Sequence, residues 1–327
     1  MDGRSESGGL FVYCEPAGEG VRPVAYELLG QASRLARAMN CRVTAVWIGK
    51  RAAGIPEALA ARGADRVILV EDDALAFPDE MRFADELCAL ARRYRPDVLL
   101  LGATAFGRSL APRVSARLET GLTADCTGLD VDLQTGLLLQ TRPAFGGNLM
   151  ATILCPERRP QMATVRPKVF AAPAPDFGRA CEIVREAPSG GASPVQLLER
   201  LASDGEVNIG DSDILVSVGQ GIGSDANIAL AERLARRLGG TLSASRPMVD
   251  AGRMPYARQV GQTGKTVAPK LYVALGISGA IQHMAGVAAG TIVAVNTDPD
   301  APIFQYAHYA VRADCGAFLR EMLEALG

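Results

Sequence analysis

The chain has 327 residues, 48% hydrophobic and 21% charged, with 34 Lys and Arg against 36 Asp and Glu. That length spans about two domains of ordinary size, the composition supports a buried core, and the balanced charge lacks the basic excess that nucleic acid or an anionic membrane surface demands. Seven cysteines (Cys14, Cys41, Cys88, Cys126, Cys155, Cys181 and Cys315) form no CxxC pair, which fits reduced thiols in the cytoplasm, and two histidines, His283 and His308, are too few for a multi-histidine metal site.

The polar start MDGRSESGG has no apolar signal core, and no apolar run approaches the ~20 residues a membrane span needs. In chain order, 9–15 (GLFVYCE) reads as a strand and 23–39 as a helix with Ala, Leu and Arg at helical spacing. Residues 41–48 (CRVTAVWI) read as a second strand, 55–62 as a short helix and 66–70 (RVILV) as a third strand. A helix at 83–93, a buried strand at 97–102 (DVLLLG) and a helix at 107–118 follow. Apolar strands separated by helices predict a parallel sheet covered on both faces. Residues 137–141, 148–153 and 161–166 read as later strands, with turns at Gly146–Gly147 and 156–160.

Residues 171–210 contain AAPAPDFG and APSGGASP and read as a connector with one short helix, 195–202. The alternation then restarts: strand 213–218 (DILVSV), helix 225–238, strand 271–275 (LYVAL), a helix opening at 281–286, strands 291–295 and 309–312, and an amphipathic helix at 315–326. The expected fold class is α/β, with two doubly wound parallel-sheet domains at 1–170 and 211–327. Ligands in such sheets bind beyond the carboxyl ends of the strands.

Four polar clusters occupy those ends in the second domain. The turn 219–224 (GQGIGS) lacks the lysine of a phosphate loop, and a plain strand-to-helix turn explains it equally well. In 276–283 (GISGAIQH), Ser278 could cap the next helix and small residues would let a pyrophosphate reach the backbone. A capped helix with a core histidine is the plainer reading, but the convergence of Gly, Ser, Gly and a titratable group favours a site. Ser245 and Arg246 with 259–265 (QVGQTGK) offer amides and a hydroxyl; taken alone, an exposed loop explains them better. Asn296 and Asp314 end strands where a ribose or adenine would sit, and an Asp-Pro turn accounts for the former equally well. No triad, paired acids or metal cluster assembles. The polar groups suit a large cofactor with phosphates and an aromatic ring.

Residues 271–296 (LYVALGISGAIQHMAGVAAGTIVAVN), 249–265 (VDAGRMPYARQVGQTGK) and 296–314 (NTDPDAPIFQYAHYAVRAD) closely resemble the alpha subunits of electron transfer flavoproteins. Residues 101–113 (LGATAFGRSLAPR) and 141–152 (TRPAFGGNLMAT) extend the resemblance over essentially the whole chain. It implies a Rossmann-like FAD-binding domain at 211–327 and a nucleotide-hydrolase-like N-terminal domain at a subunit interface. It implies a heterodimer with an electron transfer flavoprotein beta subunit, and exchange of electrons with flavin dehydrogenases such as acyl-CoA dehydrogenases.

Carried over by position, the resemblance sets Ser245 and Arg246 beside the flavin and Val260, Gly261, Gln262 and Thr263 along the isoalloxazine, with Thr263 near N5. Ser278, Gly279, Ala280, Ile281, Gln282 and His283 would hold the pyrophosphate, His283 reaching the O2 side of the ring. Asn296, Asp314 and Cys315 would hold the adenosine end. Two departures stand out: Gln220 replaces the family's usual arginine, and the spacer 286–293 is slightly short.

Residues 141–152 and 158–167 (RRPQMATVRP) look most like the anaerobic, electron-bifurcating branch. There the beta subunit holds a second FAD in place of AMP, and NADH supplies electrons. Arg142 would then reach across to that flavin; an arginine paired with a carboxylate is an equally good reading. A different class of function is a nucleotide-binding regulatory or adaptor protein of the same fold without redox work. A hydride-transferring oxidoreductase would need an acid–base group, for which only His283 stands.

Overall fold

The computed structural model describes residues 8–144, 149–190, 193, 195–199 and 208–327. Contacts divide the chain into two units, Met1–Arg200 and Leu201–Gly327.

In the first unit, β1 (Leu10–Tyr13) leads through a small ribbon, β2 (Pro16–Ala17) and β3 (Gly20–Val21), to α1 (Pro23–Met39). Pro23 sits in the first turn of α1, where its fixed φ and missing N–H do no harm, and Asn40 ends the helix in the left-handed conformation. Then come β4 (Val43–Gly49), α2 (Ile55–Ala61), β5 (Arg66–Glu71), α3 (Glu80–Tyr94), β6 (Val98–Gly102) and α4 (Ala105–Leu118). Asp79 caps α3 by accepting from the Met81 amide at 2.9 Å, and Thr104 caps α4 by accepting from the Gly107 amide at 2.9 Å. The unit closes with β7 (Leu122–Cys126), β8 (Gly128–Asp132), β9 (Leu137–Ala144), β10 (Leu149–Ile153), β11 (Gln161–Val165) and β12 (Glu182–Glu186).

Seven of these strands form one parallel sheet in the order β12-β5-β4-β1-β6-β11-β7. Every residue of β4 and β6 is buried, as an apolar run needs to be when helices cover both faces. One core cluster packs α1 and α2 on one face, and a second packs α3 and α4 on the other. Strands β8, β9 and β10 form a separate antiparallel sheet.

Two expectations fail in the segment read as a connector. Residues 182–186 (EIVRE) form β12, an edge strand whose mixed charges hide the signal. The helix expected at 195–202 is absent from 195–199, while 200–202 lie outside the described residues. The turn at Gly146–Gly147 also lies outside them.

The second unit runs β13 (Ile214–Val218), α5 (Asp225–Arg237), β14 (Thr241–Ser245), α6 (Arg246–Asp250), β15 (Gln259–Val260), β16 (Leu271–Leu275), α7 (Ile281–Met284), β17 (Thr291–Asn296), β18 (Tyr309–Arg312) and α8 (Cys315–Ala325). All six strands are parallel, in the order β15-β14-β13-β16-β17-β18. By position along the chain this order is 3-2-1-4-5-6, the arrangement of a Rossmann sheet. Amphipathic α5 and α8 cover one face through Ala231, Leu234, Ala235 and Leu319. The other face is covered by short segments carrying Val260, Val267, Ile277, Met284 and Ile303.

Candidate cofactor site

Strand order reverses between β13 and β16: from β13 the chain moves outward through β14, and from β16 it moves outward the other way through β17. The turns leaving these two strands therefore part and open a crevice. A cleft of about 720 Å3 lies there. That falls within the ~300–1,000 Å3 typical of small-molecule and cofactor sites.

The two turns meet backbone to backbone. The Gly221 amide donates to the Gly276 carbonyl at 2.9 Å, and the Gly219 amide to Leu275 at 2.9 Å. A Cβ at Gly276, where φ is +61°, would come within 2.3 Å of the Gly221 carbonyl carbon, and one at Gly219 within 2.4 Å of the Gly276 oxygen. These glycines are thus required by the close approach of the two turns. With the Gly221 amide engaged by Gly276, that N–H is not offered to a ligand.

The turn after β16 differs from expectation. Ser278 does not cap the following helix: the N-cap position falls on Ala280, and no side chain caps it. Helix α7 has four residues, too few to build a substantial dipole. What the turn offers is backbone. Among the described residues the amides of Ser278, Gly279 and Ala280 donate to no protein acceptor. Consecutive unengaged amides on a turn form a concavity suited to an anion. Gly279 holds this shape at φ +87°, with its Cα against Ile303, and the Ile303 amide donates to the Ser278 carbonyl at 2.9 Å.

The structure brings Ser245, Arg246, Val260, Gly261, Gln262, Thr263, Ser278, Ala280, Gln282, His283 and Asn296 to the cleft lining. Ser245 ends β14, and Arg246 opens α6 in an exposed ion pair with Asp250 at 3.3 Å. The 259–265 segment is tied to α7 by the Gln262 amide, which donates to the Gln282 carbonyl at 2.8 Å. Gln259 Nε2 donates to Thr263 Oγ1 at 3.0 Å and holds that hydroxyl in place. Asn296 staples two strand ends, donating to the Ile277 carbonyl at 3.0 Å and accepting from the Asp298 amide at 3.1 Å.

Gly279, Ile281, Asp314 and Cys315 are not in that lining. Gly279 is buried in the turn it shapes, and Ile281 is exposed. Asp314 caps α8 by accepting from the Ala317 amide at 2.9 Å, and Cys315 is buried behind it in the core. Gln220, Pro247, Ile277, Asp298 and Ala301 do line the cleft. Of these, Asp298 and Ala301 come from the NTDPDA turn after β17, where an Asp-Pro pair at a strand's carboxyl end was the available signal.

His283 is the one titratable imidazole of the cleft, and it is buried. Its Nε2 lies 2.8 Å from the Tyr272 hydroxyl, and its Nδ1 has no hydrogen-bond partner. Burial pulls its pKa down from the ordinary 6.5 to about 4, with the Val260 backbone pulling the other way. The ring is therefore neutral at physiological pH. A buried polar atom without a partner beside an apolar-walled cleft, next to a run of unengaged amides, is what the protein side of a nucleotide-cofactor site requires.

Among the described residues no cluster of His, Cys, Asp and Glu could hold a metal, and no helix is long and apolar enough to cross a membrane.

Two family models match the chain: the electron transfer flavoprotein domain over residues 10–189 and the electron transfer flavoprotein FAD-binding domain over 208–288. The chain is 46% identical to the electron transfer flavoprotein subunit alpha of Thermoanaerobacterium thermosaccharolyticum, covering 97% of each chain. It is 44% identical to the protein FixB of Clostridium saccharobutylicum, covering 96% of this chain and 95% of that one. It is 39% identical to the acryloyl-CoA reductase electron transfer subunit beta of Anaerotignum propionicum, covering 97% and 95%. With both halves matched and identity this high over nearly its full length, the chain belongs to the alpha-subunit family of electron transfer flavoproteins.

Proposed function

We propose that this chain holds one FAD in its second unit and, paired with an electron transfer flavoprotein beta subunit, carries electrons between flavin dehydrogenases, such as acyl-CoA dehydrogenases, and other redox carriers. The observation that carries the reading is the cleft at the strand-order reversal, with Ser278 and Ala280, whose amides are unengaged, on one wall and neutral His283 on another. The amides suit a pyrophosphate. Val260 to Thr263 and His283 suit the isoalloxazine. Bound there, FAD supplies reversible uptake of electrons; the protein binds it, orients it and shields it from water.

Gly279 does not tolerate substitution, because φ +87° and the Ile303 contact make any side chain disruptive. Ser278 is exposed and its side chain makes no fold-supporting bond among the described residues. Ser278→Asp adds a negative charge beside the proposed pyrophosphate and leaves the turn intact. In the complex co-purified with its beta subunit, FAD affinity should fall at least about tenfold, roughly 1.4 kcal/mol, with an unchanged circular dichroism spectrum. Undiminished affinity would move the pyrophosphate elsewhere, and a colourless native complex carrying only a nucleotide would replace the carrier reading with that of an adaptor.

A further step concerns electron bifurcation, the division of an electron pair between a stronger and a weaker acceptor. Arg142 supports it. Its field reaches Asp125, but Asp125 already holds Arg166 at 2.6 Å and Arg108 at 3.5 Å. Among the described residues Arg142 makes no ion pair of its own, which leaves its guanidinium available to a flavin on the beta subunit. The name of the Anaerotignum propionicum relative, an electron transfer subunit of a reductase, agrees with such a role. The complex should then release two FAD per heterodimer and be reduced by NADH. One FAD with one AMP, and no reduction by NADH, would leave the simple carrier.

A further inference from the structure

Tyr272 is the second residue of β16, fully buried, between Leu215 of β13 and Ile292 of β17 in the sheet register. Its ring belongs to the apolar cluster behind the cleft, and its hydroxyl is 2.8 Å from His283 Nε2. That is the hydrogen bond each of these side chains makes, and its direction is decided by what each choice leaves unpaired.

If Nε2–H donated to the phenol oxygen, the Tyr272 O–H would be left with no acceptor and the Nδ1 lone pair with no donor, both buried. If Tyr272 donates, only the Nδ1–H remains unpaired. Buried unpaired groups are costly, so the second arrangement is favoured.

We propose that Tyr272 is the positioning residue of this cleft: its hydroxyl donates to Nε2 of His283, fixes the imidazole as the Nδ1–H tautomer, and makes the His283 wall a hydrogen-bond donor. A donor on a neutral ring selects a ligand with a carbonyl acceptor on an aromatic heterocycle and rejects one that presents an N–H there. Tyr272 itself does not touch the ligand. The consequence for binding rests on the reading of the cleft as a flavin site; the tautomer does not.

The test is nitrogen NMR at pH 7 on the full-length chain in its complex, with flavin removed and with FAD restored. Two histidines in the sequence, one removed in a His283→Gln control, make the assignment direct. The native chain should show a protonated Nδ1 and an unprotonated Nε2 in the flavin-free state. Tyr272→Phe keeps the ring that fills the core and deletes only the hydroxyl. It should shift both nitrogens toward the other tautomer or an average of the two, and weaken FAD binding several-fold with far-ultraviolet circular dichroism unchanged. A protonated Nε2 in the native chain, or an unchanged tautomer in Tyr272→Phe, would overturn the proposal. Should the variant fail to fold, the native tautomer still decides. A chain that shows the Nδ1–H tautomer yet takes up no FAD would sink the flavin reading while supporting the role of Tyr272.

Discussion

His283 shows how burial turns a residue type into a property. From sequence it stands one turn into a helix near a ligand; in the structure it is enclosed, neutral and bonded to Tyr272. Residue types and strand ends are legible along the chain, but the partner of a side chain is not, because Tyr272 reads only as one position of an apolar strand. The depressed pKa has a thermodynamic consequence. Unfolded, the imidazole takes its proton near pH 6.5; folded, it resists until about pH 4. The unfolded state therefore binds more protons between those values, and stability present above pH 6.5 is lost as pH falls toward 4. Urea unfolding of native protein should show a steeper decline across this window than His283→Gln, whose amide can still accept from Tyr272. The ceiling on the difference is roughly 3 kcal/mol. Parallel declines in the two proteins would mean that the ring is not shielded.

At the scale of elements, the strongly apolar strands and the long helices were readable because burial on both faces leaves continuous runs and helical stripes. Strand β14, TLSAS, has no counterpart among the elements expected from the sequence: small polar residues carry little strand signal, and its place between β13 and β15 comes from pairing. The glycines of 219–223 and 276–279 are visible in the sequence, yet their reason is not. For 219–224 the sequence allows phosphate contact and a plain turn equally, and geometry shows Gly219, Gly221 and Gly276 packed turn against turn. Gly276→Ala tests this distinction. At φ +61°, with a Cβ forced to 2.3 Å from Gly221, the substitution should destabilise the second unit by about 2 kcal/mol or more and lower its melting temperature even without flavin. If the flavin-free protein melts as the native one does and only FAD binding falls, the glycines serve the ligand rather than the fold.

At the scale of the whole molecule, the family resemblance is carried in large part by the GISGAIQHMAG block, which shapes a turn and lines part of the cleft. Recognition of the proposed redox partners would be shared with other chains, and one sequence does not spell it. The second unit, in contrast, has the marks of independence. Among the described residues, the core clusters of this unit draw their members from Ile209 to Leu323, its sheet has six strands, and the cleft lining falls between Gly219 and Ala301. About 120 residues with such a core lie within the usual domain range. A fragment of residues 208–327 should therefore unfold in one cooperative transition and take up FAD within about tenfold of the full chain's affinity, a difference of no more than ~1.4 kcal/mol. Calorimetry and quenching of flavin fluorescence measure the two quantities separately. A fragment lacking a cooperative transition would show that this core needs the rest of the chain. A folded fragment that leaves FAD free would show that the flavin depends on residues outside the unit, and the site would then have to be redrawn to include them.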